Sequence, residues 1–342
     1  MPQTEITEPV SVLDKAGRPQ NFGWARSSIL SYDHNLLSAP HRSISEGDRY
    51  VLVSSSHVVC FEILDDGYLG YHFLSVVPLR EKTCFSKTLL TNFSLGCLDL
   101  PINSDIGSIK FKQKKGLINF ACMDGGVKLI KVDIPDFSRH QGLRGEVVLT
   151  PPPGAESLLT NMTWWRKKGE AFLLSRKSPW YFAEGVIQFG SSDLVFTRGE
   201  GWGIFDWTRG VRPPSDLRFW AVGCGLSGDH QVAFNTGYSS ADSSAGTENA
   251  FFLDGKLHKL DQVSFHIPSG RLVPWRFTSN DSRFEMTFTP QQERDENHQM
   301  FFYSLKQRQL FGFFSGKVIL DDGSKFEFKE IAGMAERRKS RL

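Results

Sequence analysis

Four Asp-Gly pairs constrain the fold of this 342-residue chain more than any other feature. Each pair lies between two short runs of β-branched and aromatic residues, which is the strongest short-range signal for a β-hairpin. The pairs are Asp66-Gly67, Asp124-Gly125, Asp254-Gly255 and Asp322-Gly323. Polar and apolar residues alternate in segments such as SIKFKQ and KFEFKEI, as they do in antiparallel strands with one solvent-exposed face. The sequence therefore predicts an all-β protein built from antiparallel hairpins.

The number and spacing of the strand-like segments predict the architecture. Roughly twenty segments, with turn signals about every 8 to 12 residues, are typical of antiparallel barrels or sandwiches. We expect two barrels or half-barrels with little helix, the best short helix candidate being Ala155 to Trp165. The rigid run Pro151 to Gly154 predicts a boundary between an N-terminal domain, 1–154, and a C-terminal domain, 155–342. The first domain begins with a loop-rich leader over residues 1–48.

Composition and charge exclude several classes of partner. Hydrophobic residues make up 40% and charged residues 23% of the chain, an ordinary globular balance, and the net charge is +2. Basic residues are scattered, and the short tail Arg337 to Arg341 is interpreted as a solvated terminus, so no nucleic acid is expected. The polar N-terminus predicts no signal peptide, and no apolar run reaches the length of an integral membrane segment.

The cysteines, the histidines and the absence of known motifs limit the classes of site and reaction that the sequence predicts. The five cysteines include no CxxC pair, which predicts reduced thiols and a cytoplasmic protein. The histidines are scattered, so no metal site is expected. The sequence has no GxSxG, no P-loop and no GxGxxG opening a helix, so acyl transfer, NTP hydrolysis and nicotinamide chemistry lack their usual marks. No cofactor is therefore expected.

The stretch from Gly199 to Asn235 gathers tryptophans around one acid. On a strand, Asp206 would share a face with Trp202 and Ile204, which places its carboxylate in an apolar setting. An unpaired carboxylate there would be costly. Either Asp206 pairs with Arg209 across a turn, as a structural residue, or burial raises its pKa and makes it a general acid.

Four segments carry a resemblance to a known family. They are ITEPVSVLDKAGRPQNFGWAR, IFDWTRGVRPPSDLRFWAVGCG, TENAFFLDGKLHKL and IAGMAE. Together they resemble the bacterial domain of unknown function 2804, over nearly the whole chain. That family has no established activity, so this resemblance implies no mechanism.

The second of these segments is more distantly similar to the Asp-His-x-Trp-Gly segment of carotenoid 1,2-hydratase and AttH-like proteins. Those proteins are two-part lipocalin-like β-barrels, so the resemblance implies lipocalin-like barrels here. It places Asp206 on the conserved acid, the expected proton donor of the hydratases, Gly210 on the closing glycine and Trp220 on the tryptophan of the next strand. Trp207 stands at the histidine position and Arg209 at the tryptophan position. Only the acid and the barrel framework therefore carry across.

Further candidates follow the central stretch. Glu248 and Asn249 precede an apolar strand, where Glu248 could complete an acid/base pair or be hairpin-end polar sequence. Asn235 and Tyr238 could orient a ligand by hydrogen bonds, although asparagine before glycine-rich sequence is usually a turn former. The small, polar segment Gly237 to Gly246 could be a lid over a barrel mouth or a long hairpin loop.

Two functions of different classes follow from these residues. In the first, an enzyme hydrates, isomerises or cyclises a hydrophobic small molecule, with Asp206 and Glu248 as catalytic residues and aromatic walls that stabilise positive charge. In the second, a non-catalytic barrel sequesters a small apolar or amphipathic molecule. The ligand-binding candidates are Trp202, Trp207, Arg209, Trp220, Asn235, Tyr238, Asn249 and Trp275, of which the tryptophans are more often core residues. A second polar group close to Asp206 would favour the enzyme.

Overall fold

A computed structural model shows that the chain is made almost entirely of antiparallel strands. It describes residues 3–81, 83–113, 116–164, 170–300 and 303–341, and 66% of them are strand and 3% helix. In chain order the strands are β1 (Val10–Ser11), β2 (Gly23–Ala25), β3 (Leu30–Ser31), β4 (Ile44–Val53), β5 (His57–Asp65), β6 (Leu69–Pro78), β7 (Phe85–Asn92), β8 (Gly107–Gln113), β9 (Gly116–Cys122), β10 (Lys128–Ser138), β11 (Gln141–Thr150), β12 (Leu158–Trp164), β13 (Phe172–Phe189), β14 (Ser192–Phe196), β15 (Trp202–Val211), β16 (Ser215–Ser227), β17 (His230–Ser239), β18 (Ala241–Asp242), β19 (Ala250–Leu253), β20 (Lys256–Lys259), β21 (Val263–His266), β22 (Trp275–Ser279), β23 (Phe284–Met300), β24 (Tyr303–Ile319) and β25 (Lys325–Arg341). The 3-10 helices of the same residues are His34–Leu36, His41–Ser43 and Asp124–Gly126.

The first large sheet curls into a half-barrel. Its strands follow the order β7-β6-β5-β4-β15-β13-β11-β10-β9-β8, and β2, β12, β14 and β18 attach at β12 and β13. The strand β18 comes from the segment Gly237 to Gly246 and pairs with β12. Part of the segment that was interpreted as a lid or a hairpin loop is therefore bonded to the first sheet. The short strands β1 and β3 form a separate parallel pair.

The second large sheet is also a half-barrel, with the strand order β20-β19-β17-β16-β25-β24-β23-β22-β21. The chain passes from the first sheet to the second between Val211 and Ser215. The run from Pro151 to Gly154 lies between β11 and β12, which both belong to the first sheet. The division of the chain into domains remains a prediction.

All four Asp-Gly pairs join antiparallel neighbours, as predicted. They connect β5 to β6, β9 to β10, β19 to β20 and β24 to β25. Each glycine has a positive φ, a conformation that costs glycine little because it has no side chain. The expectation of an all-β protein with two lipocalin-like half-barrels and little helix is confirmed.

The expectation of a helix over Ala155 to Trp165 was wrong. Leu158–Trp164 is the strand β12, and all seven of its residues are buried. It pairs with β13 on one side and with β2 and β18 on the other. Polar and apolar residues do not alternate along a strand that is buried on both faces, so the spacing of the apolar residues in β12 resembles that of a helix. Trp165 lies outside the described residues.

Three large apolar clusters fill the two half-barrels and the contact between them, and a smaller one lies around Met162 and Trp164. The first core fills the inner face of the first sheet, and a second core fills the inner face of the second sheet. A third cluster lies where the outer face of the first sheet meets the second sheet, and we call this contact the seam. Strand alternation divides the residues between these layers, since Phe205 points into the first core and Ile204 into the seam. None of the helices in the described residues has the length or hydropathy needed to cross a membrane.

Candidate functional site

Beyond its apolar part, the seam carries a row of alternating charges across four neighbouring strands. Lys177 of β13 lies opposite Asp206 of β15, and Asp206 lies opposite Arg49 of β4. Arg49 in turn lies opposite Glu62 of β5. All four residues are buried. Because opposite residues on neighbouring strands share a face, each charge of this row meets a charge of the other sign.

The partner of Asp206 is Lys177. The Lys177 Nζ donates to Asp206 Oδ1 at 2.6 Å and lies 3.3 Å from Glu248 Oε1. One ammonium group therefore joins two carboxylates. Glu248 comes from the segment before β19 and reaches the row from the second sheet. The second polar group that the enzyme hypothesis required is thus present beside Asp206.

The predicted pairing of Asp206 with Arg209 was wrong. The segment between them is continuous strand rather than a turn, and residues three apart on a strand point to opposite faces. Arg209 is completely buried on the side of the first core, where its Nη1 donates to Asp48 Oδ1 at 2.8 Å. Its guanidinium also lies 4.6 Å from the centre of the Trp207 ring.

Glu248 is held by hydrogen bonds from several elements. Ser175 Oγ donates to its Oε1 at 2.6 Å, and Asn235 Nδ2 donates to its backbone carbonyl at 2.5 Å. A Cβ atom at Gly237 would lie 3.1 Å from Glu248 Oε2, so the glycine allows the carboxylate to approach the backbone. Burial would raise the pKa of Glu248, but the positive charges of Lys177 and Arg218 and the hydrogen bonds from Ser175 and Lys177 together lower the pKa below its usual value.

Trp220 is fixed beside the same groups. Its Nε1 donates to Asn235 Oδ1 at 2.7 Å, so one amide orients both the indole and the backbone of Glu248. The Arg49 guanidinium lies 4.8 Å from the centre of the Trp220 ring, and Lys177 Nζ lies 5.6 Å from it. Such cation–π contacts keep both cations against the aromatic wall.

Arg49 and Glu62 link the two sheets. Arg49 Nη2 lies 2.8 Å from Glu62 Oε1, and its Nη1 lies 3.3 Å from Glu336 Oε2 on β25. Arg338, also on β25, places its Nη1 3.3 Å from Glu62 Oε1. Burial opposes ionisation of Glu62, but Arg49 and Arg338 lower its pKa below the usual value. The interpretation of Arg337 to Arg341 as a solvated tail was therefore wrong for Arg338.

Three cavities follow one another along the polar part of the seam. The central cavity, about 50 Å³, is lined by the charged row together with Glu248 and Trp220 and has room for a few water molecules. The outer cavity, about 310 Å³, shares four lining residues with it, namely Phe219, Tyr238, Ser239 and Glu248. The arginine cavity, about 50 Å³, shares Leu64, Thr208, Arg218 and Arg338 with the central cavity. Each neighbouring pair of cavities thus has a common wall.

The structure brings some of the predicted site residues together and separates others. Asp206, Glu248, Trp220 and Tyr238 line the central cavity, and Asn249 lines the outer cavity. Asn235 hydrogen-bonds to the backbone of Glu248 next to both cavities. The remaining four lie elsewhere, with Trp202 in the apolar part of the seam, Trp207 in the first core, Arg209 at the edge of that core and Trp275 in the core of the second sheet.

The sequence analysis missed Lys177, Arg49, Glu62 and Glu336. Lys177, Arg49 and Glu336 each adjoin another charged residue in the chain, whereas Glu62 stands in the otherwise apolar run HVVCFEIL. A charge at such a position is rarely buried unless it is paired. That signal could have marked Glu62 as a member of a buried ionic cluster, although it does not identify its partners, and the other three residues carry no such signal.

Family and structural comparisons agree with this architecture. Residues 3–342 match the family described as Domain of unknown function (DUF2804). The chain belongs to this family. No curated protein matches the sequence.

Among solved structures, CghA is similar in fold. The CghA structure is 12% identical to this chain with a TM-score of 0.58, and the alignment covers 98% of this chain and 97% of CghA. CghA with Sch210972 gives 12% identity, a TM-score of 0.57 and coverage of 93% and 94%. Kievitone hydratase from Nectria haematococca gives 10% identity, a TM-score of 0.46 and coverage of 86% and 88%. At such identities the likeness to CghA shows the fold alone.

Proposed function

We propose that this protein is an enzyme that moves a proton to or from a small amphipathic molecule bound in the seam. The reaction class is hydration, isomerisation or a cyclisation begun by protonation. The observation that carries the proposal is that Asp206 and Glu248 share the ammonium group of Lys177 at the wall of a cavity. Buried titratable groups that meet in a cavity are candidates for acid–base catalysis.

Asp206 and Lys177 act as one proton-carrying unit in this proposal. The 2.6 Å hydrogen bond between Lys177 Nζ and Asp206 Oδ1 gives a direct path for a proton between the two groups. Transfer of one proton along this hydrogen bond leaves both groups neutral and converts Asp206 into a carboxylic acid. Asp206 is then the general acid, and Lys177 is the source of its proton.

Glu248 is the general base of the same cycle. Its lowered pKa keeps it ionised at neutral pH, ready to accept a proton. In a hydration, Asp206 gives one proton to a substrate carbon and Glu248 takes one proton from the attacking water, so the proton count of the site does not change. Lys177 contacts both carboxylates and returns the proton from Glu248 to Asp206 for the next turnover.

The substrate body is assigned to the outer cavity. Its walls include Met162, Phe219, Val263 and Phe265, and its volume of about 310 Å³ is at the small end of ligand pockets. The central cavity holds the reacting group and water. The rings of both aromatic residues beside these cavities already face cations of the protein, Arg49 and Lys177 at Trp220 and Arg337 at Phe219.

Packing supports an enzyme over a carrier. Both half-barrels are filled by large side chains on their inner faces, such as Phe205 in the first and Phe234 in the second. A lipocalin-like carrier would hold its ligand inside a barrel. A ligand in the seam would instead lie beside the charged row.

Deuterium uptake tests the proposal without knowledge of the substrate. The wild-type protein is incubated in D₂O with an extract of amphipathic metabolites, and new masses are detected by mass spectrometry. We expect at least one compound to gain deuterium or the elements of D₂O. Lys177→Met, Asp206→Asn and Glu248→Gln should each reduce this uptake by about 10²-fold or more, the contribution of a positioned acid or base.

Glu285→Gln is the matched control. Glu285 pairs with Arg276 and Lys317 on the second sheet, and its carboxylate is exposed. This variant should keep the wild-type rate. Uptake that survives both Asp206→Asn and Lys177→Met would show that the charged row is not the acid–base apparatus.

A further inference from the structure

We propose that the arginine cavity binds a carboxylate group, so that the substrate is an amphipathic acid. This inference rests on the proposed function for the place of the reacting centre. Three arginines line the cavity, namely Arg212, Arg218 and Arg338. Two of them, Arg218 and Arg338, also line the central cavity.

The register of the second sheet brings two of these cations together. Arg218 on β16 lies directly opposite Arg338 on β25. Like charges at opposite positions of a strand pair are destabilising, unless negative charge lies between or beside them. Asp216, 2.8 Å from Arg218, and Glu62, 3.3 Å from Arg338, offset this repulsion, and both arginines line the cavity.

Arg212 supplies a donor that the protein leaves unused. Its side chain is only 7% exposed, and its Nε is buried with no hydrogen-bond partner among the described residues. The nearest carboxylate oxygen, Asp66 Oδ1, is 3.8 Å away, beyond hydrogen-bond distance. A buried donor without a partner is costly, and a carboxylate in the cavity would satisfy it.

The two acids of the cavity form their hydrogen bonds with donors other than Arg212 Nε. Asp66 accepts hydrogen bonds from Ser45 Oγ and Tyr303 Oη, both at 2.5 Å, one on each oxygen. Asp216 accepts from Ser240 Oγ on one oxygen and from Arg218 Nε on the other. Each of these four carboxylate oxygens thus accepts a hydrogen bond from another donor. Guanidinium groups bind planar carboxylates in a forked geometry, so a carboxylate suits this set of donors.

The order of the three cavities defines the substrate class more closely. The arginine cavity and the outer cavity each share lining residues with the central cavity and share none with each other. A bound acid would place its carboxylate at the arginines and its apolar body in the outer cavity. The reacting carbon would then lie between them, beside Asp206 and Glu248.

Calorimetric titration with octanoate and 1-octanol tests the carboxylate site, because the two probes share a chain length and differ in charge. The wild-type protein should bind octanoate at least about tenfold more tightly, the worth of one net hydrogen bond to a charged group. Arg212→Gln and Arg218→Gln should each remove most of this preference. Arg276→Gln, which changes an exposed arginine of the second sheet, should keep it.

The outcomes separate this inference from the proposed function. Equal affinity for the two probes, or no saturable binding of octanoate, overturns the carboxylate site. A preference that both Arg212→Gln and Arg218→Gln retain overturns it as well. Arg218 is the more exposed of the two, at 28%, so its variant stays informative if Arg212→Gln does not fold. Octanoate preference without deuterium uptake from the metabolite extract would reject the proposed function alone, and uptake without the preference would reject this inference alone.

Discussion

Lys177 and Asp206 lie directly opposite each other on β13 and β15, with Nζ 2.6 Å from Oδ1. Both side chains are almost entirely removed from solvent. Desolvation of such a pair offsets much of its Coulomb attraction, so its net contribution to folding is small, whereas removal of one partner leaves a buried charge uncompensated. Variants of the two partners should therefore lose different amounts of the free energy of unfolding.

Lys177→Met should destabilise the protein more than Asp206→Asn. The lysine variant leaves both Asp206 and Glu248 without their shared cation, and we expect a loss of about 3–5 kcal/mol in the free energy of unfolding. After Asp206→Asn, Lys177 still contacts Glu248, so the loss should be smaller. Urea unfolding measures both values. Lys131→Met, at an exposed pair with Glu146, should change stability by no more than about 0.5 kcal/mol.

Asp206→Asn and Arg209→Ala should act independently. Arg209 pairs with Asp48 on the side of the first core, and Asp206 pairs with Lys177 in the seam, so the two residues have no hydrogen-bond partner in common. Their effects on the free energy of unfolding should add to within about 0.5 kcal/mol. A double-mutant cycle measures the coupling, and a larger value would mean that the two faces of β15 are linked.

Much of the fold could be predicted from the sequence because hairpin signals are local. Asp66-Gly67 and its counterparts need only their own neighbours to specify a turn. The seam is different, since Lys177, Asp206 and Glu248 come from separate hairpins and meet only when the two sheets pack. The apolar surroundings of Asp206 mark it in the sequence, but they do not identify its partner. On a strand the partner of a side chain comes from a neighbouring strand, and Arg209, three residues away, lies on the opposite face.

Stability should fall as the pH decreases through the range in which His72 titrates. Burial lowers the pKa of His72 to about 4, whereas an unfolded histidine titrates near 6.5. Between these values the unfolded state binds more protons, so the free energy of unfolding should decrease by about 2–4 kcal/mol as the pH falls from 6.5 to 4. Unfolding of wild-type protein and His72→Leu across this range measures the contribution as a difference.

The difference between the two proteins isolates His72 from other groups. Carboxylates with lowered pKa values, such as Glu248 and Glu62, lose their stabilising effect only below about pH 4.5 and do so in both proteins. His266→Leu, at an exposed position, should leave the pH dependence of the wild type intact. A His72→Leu profile parallel to that of the wild type would contradict the assignment.

Asn235→Ala should impair turnover beyond its effect on stability. Asn235 is completely buried, and its amide joins the Trp220 indole to the backbone of Glu248. Loss of the amide leaves two buried groups unsatisfied, at about 1–3 kcal/mol each, and frees Glu248 to move. Deuterium uptake under conditions where the variant remains folded should fall about tenfold or more, since misplacement of a base slows proton transfer. Asn280→Ala, at an exposed site, should leave uptake unchanged.

The alternating row of Lys177, Asp206, Arg49 and Glu62 also governs how these positions can diverge among relatives. Reversal of the charge of Asp206 would place three cations side by side in a buried setting, and neutralisation of Arg49 would leave two acids without a common counter-ion. Single charge changes should therefore be rare in inherited variation, and accepted changes should occur as balanced pairs or replace the whole row. An alignment of relatives would then show these four columns covarying by sign, even though the residues lie on strands far apart in the chain.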